Sequence, residues 1–337
     1  MKYYYLTFSF FFLCCIARAQ NAASYNFYCN RAELHISDAL YDSALVNYGK
    51  AFSGSAKPFA RDFYNASLCA VKINKFSLAG EYLYKLAELG FVVDSLQTKK
   101  GFQSYVSSAA YQQLKEKTGP GKIQVVKNVV LKRALEELVQ DDQHFRIRNP
   151  GDYMKHEYAA IIRQLDSINS YKLINLINEF GYPNESGIGL YKNQLASSLI
   201  NPIIQHQQHG SPTRVVDFAP ILLDAIKKGT IMVNHGIALY SLTAGRDSLF
   251  GTGSFFYVQQ PDGAYKYAYY AVFTNGLEEK FNANRASFNM ENLTDYRKKM
   301  IFFLKQHEFM PDLIMGVTID KIDKTLAPYF KNLTYID

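Results

Sequence analysis

The sequence predicts a mainly α protein: N-terminal helical hairpin repeats, then an α-helical domain carrying a small antiparallel β-hairpin. Three observations predict it. Apolar residues recur at three- and four-residue spacing through most of the chain. The set Ala44, Tyr48, Ala51 returns about 35 residues later as Ala79, Leu83, Leu86. The period shortens to two only around 253–273, where aromatic runs flank Pro261-Asp262-Gly263, a hairpin signal.

Taken in order, residues 1–19 read as a secretory signal peptide. Lys2 begins it, Tyr5 to Ala17 is apolar, and Ala17-Arg18-Ala19 is a small-x-small cleavage signal before Gln20. An apolar run of about 13 residues is short of the roughly 20 that span a bilayer. Cys14 and Cys15 offer a lipoprotein alternative, disfavoured by bulky Leu13. The expected location is therefore exported: periplasmic, secreted or cell-surface. Loss of Lys2 and Arg18 leaves 35 basic against 30 acidic residues, so the charge of +7 falls to +5. That is too mild for nucleic-acid binding, and no long basic cluster occurs. Arg297-Lys298-Lys299 reads as a solvated helix face. No other apolar segment is long enough to cross a membrane.

Residues 20–118 form the repeat region, with four helical stretches between 22 and 90. Phe63 to Ala70 resembles the first helix of a tetratricopeptide repeat, and Ala79 to Phe91 a second helix ending on a capping glycine, Gly90. The match is degenerate, because the usual Trp and the first-helix Gly are missing. Two repeats rarely bury a core, so Asp94 to Thr118, with Leu96, Phe102, Tyr105, Tyr111 and Leu114, is expected to cap them. Such repeats imply an unidentified protein or peptide partner. Cys29 and Cys69, the thiols that outlast cleavage, could pair in an oxidising compartment. Against this, they sit on neighbouring helices about 8–10 Å apart and offset along the axis.

Thr118-Gly119-Pro120-Gly121 marks a boundary, and 119–127 is expected to be linker and helix start. A helical domain follows over 128–310. Its first helix, about Ile123 to Arg146, carries Leu131, Leu135, Leu138, Asp142 and Phe145 on one stripe, with Arg146 one turn from Asp142 as its expected partner. A second runs from Tyr153 to Phe180, with a break expected near Asp166 to Asn169, and stops at Gly181 and Pro183. A third is expected from Gly189 to about Gln208, a fourth from Arg214 to Lys228, and a fifth from Asn234 to Thr243. The hairpin pairs Gly253–Gln260 with Ala264–Phe273. Helix returns at Leu293 to His307, and 311–337 is read as a tail with a short helix near Asp320 to Phe330.

No phosphate loop, serine elbow, His-Glu-x-x-His or Cys-x-x-Cys occurs, so the chain lacks the familiar nucleotide, hydrolase, zinc-protease and redox motifs. Asp142-Gln143-x-x-Arg146, Asp166-x-x-Asn169, Phe180-Gly181-Tyr182-Pro183, Gln205-His206 and Gly251-Thr252 resemble, in order and spacing, the motifs of an uncharacterised bacterial family. That family is a domain of unknown function in exported or tetratricopeptide-linked proteins, and the resemblance covers about residues 128–310. It implies a fold and a shared pocket, without an activity. Tyr182 replaces the usual Trp, and Ser241-Leu242 stands near the place of an expected Asp-Arg pair. Loss of that pair favours a structural remnant with no active site.

His206 follows Leu195, Leu199 and Ile203 at helical spacing and is expected to face inward, near Asp142. Two readings stay open. In one, Asp142, Arg146 and His206 serve a hydrolase-like enzyme, with Gln143, Asp166, Asn169 and Gln205 as ligand-binding candidates. In the other, His206 is a satisfied core histidine. No cofactor is expected, and no metal: His206 and His209, three apart, could share a helix face, but two histidines do not make a metal site and no spacing rule brings His235 close. The tyrosines of the hairpin, Tyr265, Tyr267 and Tyr269, share one strand face, more as packing than as a binding strip.

Overall fold

The computed structural model describes residues 22–55, 57–148, 158–195, 198–245, 249–251, 255–260, 262–271, 273, 276–310, 312, 317–319 and 333–336. The signal segment 1–19, Thr252, Pro261 and the tail helix expected at 320–330 lie outside them.

The molecule is mainly helical. Helix α1 occupies residues 22–37, followed by α2 (Tyr41–Gly54), α3 (Ala60–Lys72) and α4 (Phe76–Glu88). These form successive helical hairpins whose small residues, Ala32, Ala44, Ala66, Ala70 and Ala79, are buried and let the axes approach. Two 3₁₀ segments (Val93–Thr98 and Lys100–Phe102), α5 (Gln103–Val106) and α6 (Ala109–Thr118) cap the stack and bury Leu96, Phe102, Tyr105, Tyr111 and Leu114 in the same core. Ser108 caps α6 by accepting the Tyr111 N–H.

The second half comprises α7 (Val129–Arg148), α8 (Ala159–Phe180), α9 (Glu185–Ile188), α10 (Asn201–Gln205), α11 (Ala219–Lys227), α12 (Val233–Ala244), α13 (Leu277–Ala286) and α14 (Leu293–Gln306). Four strands complete it: β1 (Phe255–Gln259), β2 (Tyr265–Tyr270), β3 (Val317–Ile319) and β4 (Leu333–Tyr335), in the order β3-β1-β2-β4. The hairpin β1–β2 is antiparallel with Phe255 opposite Tyr269, β4 extends it antiparallel, and β3 joins β1 in parallel. On one face Tyr257 packs against Tyr265 and Tyr267, and Phe255 stacks on Tyr269 and meets Tyr296 of α14.

Three helix expectations need correction. Helix α8 continues through Asp166 and Asn169, because both turn inward and neither caps; Ser170 Oγ donates to the Asp166 carbonyl one turn back. The described residues of 189–208 contain only the short α10. Lys192 and Asn193 have positive φ, and Asn193 ties its side chain to Val92 N–H and Ser95 Oγ. Helix α11 starts at Ala219 and not near Arg214, since Gln207 Oε1 holds the Val215 and Val216 N–H groups in a loop.

The segment 119–127 is anchored. Val125 lies against Gly90 and Gly189, where an added Cβ would meet it at 2.7 and 3.0 Å, and both glycines have positive φ. Leu190 N–H donates to Leu89 O, and Lys127 N–H to Gly187 O. The repeat core also includes Phe303 and Phe309 from the far end of the chain, and Asn65 Nδ2 donates to the Met310 carbonyl.

Arg297-Lys298-Lys299 is not a solvated face. Only Lys298 is exposed; Arg297 pairs with Glu278, and Lys299 is 2% exposed. Lys299 lies in a buried chain of alternating charge. Arg61 contacts Asp62 at 2.5 Å and Glu33 at 2.6 Å, and Lys299 contacts Glu33 at 2.5 Å and Glu291 at 2.8 Å. Arg285 donates through Nε to the Glu291 carbonyl. Burial lowers the ammonium pKa, but Glu291 and Glu33 outweigh it and hold the Lys299 pKa above its ordinary value. The chain links α1 and α3 to α13 and α14.

Candidate functional site

The polar residues singled out on α7, α8 and the end of α10 converge. Asp142 takes its place on the α7 stripe with Leu131, Leu135 and Leu138, and Asp166 and Asn169 share the inward face of α8 with Leu173 and Ile177. His206 is the C-cap residue of α10. Its Nδ1 lies 3.0 Å from Asp142 Oδ1 and 3.6 Å from Asp166 Oδ1. Arg146 lies between the carboxylates: one guanidinium nitrogen is 2.5 Å from Asp166 Oδ1, the other donates to the Asp142 carbonyl at 2.7 Å. Gln143 Nε2 donates to Asp142 Oδ2 at 2.6 Å.

Asp142, Asp166 and Asn169 are enclosed, whereas the His206 side chain is 18% exposed. Burial outweighs the Arg146 hydrogen bond and raises the Asp166 carboxyl pKa above its ordinary value. Asn169 is fully buried, and neither its amide oxygen nor its nitrogen has a hydrogen-bond partner. Gln205 points to solvent, apart from the cluster. The cluster is thus a nearly sealed polar centre with one imidazole edge reaching outward.

His209 and His235 do not join it. His209 is exposed beside Arg214, and His235 Nε2 meets the Asn201 amide. Cys29 and Cys69 are unbridged and buried; Cys29 donates to Asp62, and burial raises the pKa of both thiols.

Two cavities lie elsewhere. The larger, about 1290 Å³, is a groove over the repeats. Its wall carries Phe52, Phe63, Tyr82 and Tyr84, and five lysines, Lys57, Lys85, Lys117, Lys122 and Lys127, against two glutamates, Glu81 and Glu88. Phe52, Phe63 and Tyr82 form one aromatic cluster with ring centroids 4.7–6.5 Å apart. The second, about 50 Å³, is lined by Tyr182, Glu185, Thr230 and His235. Glu185 Oε2 accepts the Ala60 N–H at the start of α3. Burial there pushes the Glu185 carboxyl up to about 7 and the His235 imidazole down to about 4.

Sequence reasoning missed the groove lysines, because they come from three separate segments, and missed Glu185, whose neighbours are remote in the chain. No helix among the described residues is long and apolar enough to cross a membrane. Comparison with family models, with curated proteins and with solved structures finds no match.

Proposed function

We propose that this is an exported binding protein whose helical repeats hold an extended, acidic peptide carrying an aromatic or aliphatic anchor. The observation that carries the reading is the groove: it is larger than a typical small-molecule pocket of about 300–1,000 Å³, has an aromatic wall, and carries an excess of lysines. Unpaired acidic side chains of a partner would meet the lysines and steer its approach, while an aromatic anchor would pack against Phe52, Phe63 and Tyr82. The tetratricopeptide-like reading of residues 20–118 supports the same function, since helical repeats present such surfaces without chemistry. The resemblance of 128–310 to an uncharacterised exported family adds the Asp142 cluster as a polar site of unassigned activity.

The test uses the full chain without residues 1–19 and fluorescent peptides of about eight residues. An acidic peptide with one aromatic should bind, and added salt should weaken it. Lys117→Glu with Lys122→Glu should abolish binding while leaving the fold intact, because both lysines lie on the groove rim. Equal affinity for a basic peptide of the same length would sink the reading.

A second reading, a hydrolase-like enzyme, is favoured by the convergence of Asp142, Arg146 and His206. Asp142 would fix the ring orientation of His206, and Nε2 makes no hydrogen bond among the described residues and is the nitrogen available for proton transfer. Arg146 is engaged by both carboxylates, so it would orient them, not clamp a substrate anion. A hydrolase substrate screen comparing wild type with His206→Ala decides it; equal rates eliminate the role.

A further inference from the structure

We propose that Asp142, Asp166 and His206 form a binding site for a divalent first-row transition-metal ion, with Asn169 as a further oxygen donor.

The first support is spacing. The three donor atoms lie within 4.8 Å of one another, and His206 Nδ1 is 3.0 and 3.6 Å from the two carboxylate oxygens. Donors bound to one ion at about 2.0–2.2 Å stand about 2.8–3.6 Å apart in octahedral or tetrahedral geometry. The second is charge. Among the described residues, two enclosed carboxylates face one guanidinium. Enclosed charge of that kind demands a counter-charge. Arg146 supplies one from the side. It reaches Asp166 Oδ1 and the Asp142 main chain, and comes no nearer than 3.3 Å to the Asp142 carboxylate.

Asn169 is the independent observation. It lies one turn after Asp166 on the same inward face of α8, is fully buried, and has no partner for either amide atom. Buried amides are nearly always satisfied, and the carbonyl oxygen of this one is chemically suited to a cation. An outer contact already orients one ligand: Gln143 donates to the second oxygen of Asp142. Mixed oxygen and imidazole donors suit Mn²⁺, Fe²⁺ or Zn²⁺ better than Ca²⁺ or Mg²⁺. The partly exposed His206 ring gives the ion a path from solvent.

This site is separate from the groove, so its failure leaves the peptide reading untouched. It shares the cluster of the second, enzymatic reading but concerns ion binding, which is measured without any substrate.

The experiment is equilibrium dialysis of chelator-stripped full chain against Mn²⁺ or Zn²⁺, with Mg²⁺ as control and metal content read by elemental analysis. One ion per chain is expected, with affinity lowered roughly tenfold or more by His206→Ala and by Asp142→Asn. Mn²⁺ should also broaden the His206 ring signals in the NMR spectrum. Asn169→Asp keeps the measurement decisive if Asp142→Asn fails to fold: its added carboxylate should lower the melting temperature without metal and restore it with Mn²⁺. No bound ion, or binding that His206→Ala leaves unchanged, overturns the proposal, as does an Asn169→Asp protein that Mn²⁺ fails to stabilise.

Discussion

Lys299 shows how much a single side chain depends on its partners. It is held by Glu33 from α1 and by Glu291, and Asn30 Oδ1 accepts a third bond from its ammonium. Removing the ammonium takes one of two cations from each of two enclosed carboxylates, leaving Glu33 with Arg61 and Glu291 with Arg285, so Lys299→Met should cost about 3 kcal/mol. The check is urea unfolding, read as a lower midpoint at unchanged slope. Glu185 and His235, in one small cavity, set a pH response. Folded Glu185 holds its proton up to about pH 7, whereas a free carboxyl loses it near 4.5. Between these values the unfolded chain binds fewer protons, and stability declines as pH rises. His235 acts oppositely. The fold keeps it neutral down to about 4 against an ordinary 6.5, so stability is lost as pH falls through that window. The two effects offset where the windows overlap. Glu185→Gln should therefore flatten the decline towards neutral pH and expose a steeper loss on acidification; melting temperatures of both proteins across about pH 4 to 8 check it.

Gly90 and Gly189 do for an element what Lys299 does for a side chain. They let residues 122–127 lie against the repeats and form one wall of the groove. Gly90→Ala places a Cβ 2.7 Å from Val125 at φ +100°, and should cost about 1–3 kcal/mol while weakening peptide binding. Val125→Ala in the same chain should recover part of the loss, since it relieves the clash and not the backbone strain; urea unfolding of the single and double variants measures the difference. Amphipathic helices with uninterrupted stripes, α3, α4, α7 and α14, were legible in the sequence. The same was true of the hairpin, because a two-residue period next to Pro-Asp-Gly has few other meanings. Residues 189–208 misled because Leu195, Leu199 and Ile203 are buried, as a helical stripe requires, yet the backbone is irregular at Leu195 and Leu199 and helical only at Ile203. At Asn193 a side chain bonded to the distant Val92 and Ser95 competes with helix formation, and local spacing carries no sign of it.

Across the whole molecule, the boundary at Thr118-Gly119-Pro120-Gly121 separates two stretches of sequence that share core and charge. Phe303 and Phe309 pack into the repeat core, and Glu33 pairs with Lys299, 266 positions away. Residues 22–118 expressed alone should therefore expose apolar surface and leave an enclosed charge unpaired. The expected outcome is aggregation or a non-cooperative melt by circular dichroism, and a sharp transition matching the full chain would refute it. The helical class, the position of the hairpin and the inward place of Asp142 with Arg146 one turn on were determined by the sequence itself, because periodicity reports which face of an element is buried. Only the tertiary structure decided that Lys299 is an interior charge, that five lysines ring one groove, and that Asp142, Asp166 and His206 stand at ligand spacing. These depend on which distant elements meet, and the free energy of such meetings resides in pairs of residues that no local pattern connects.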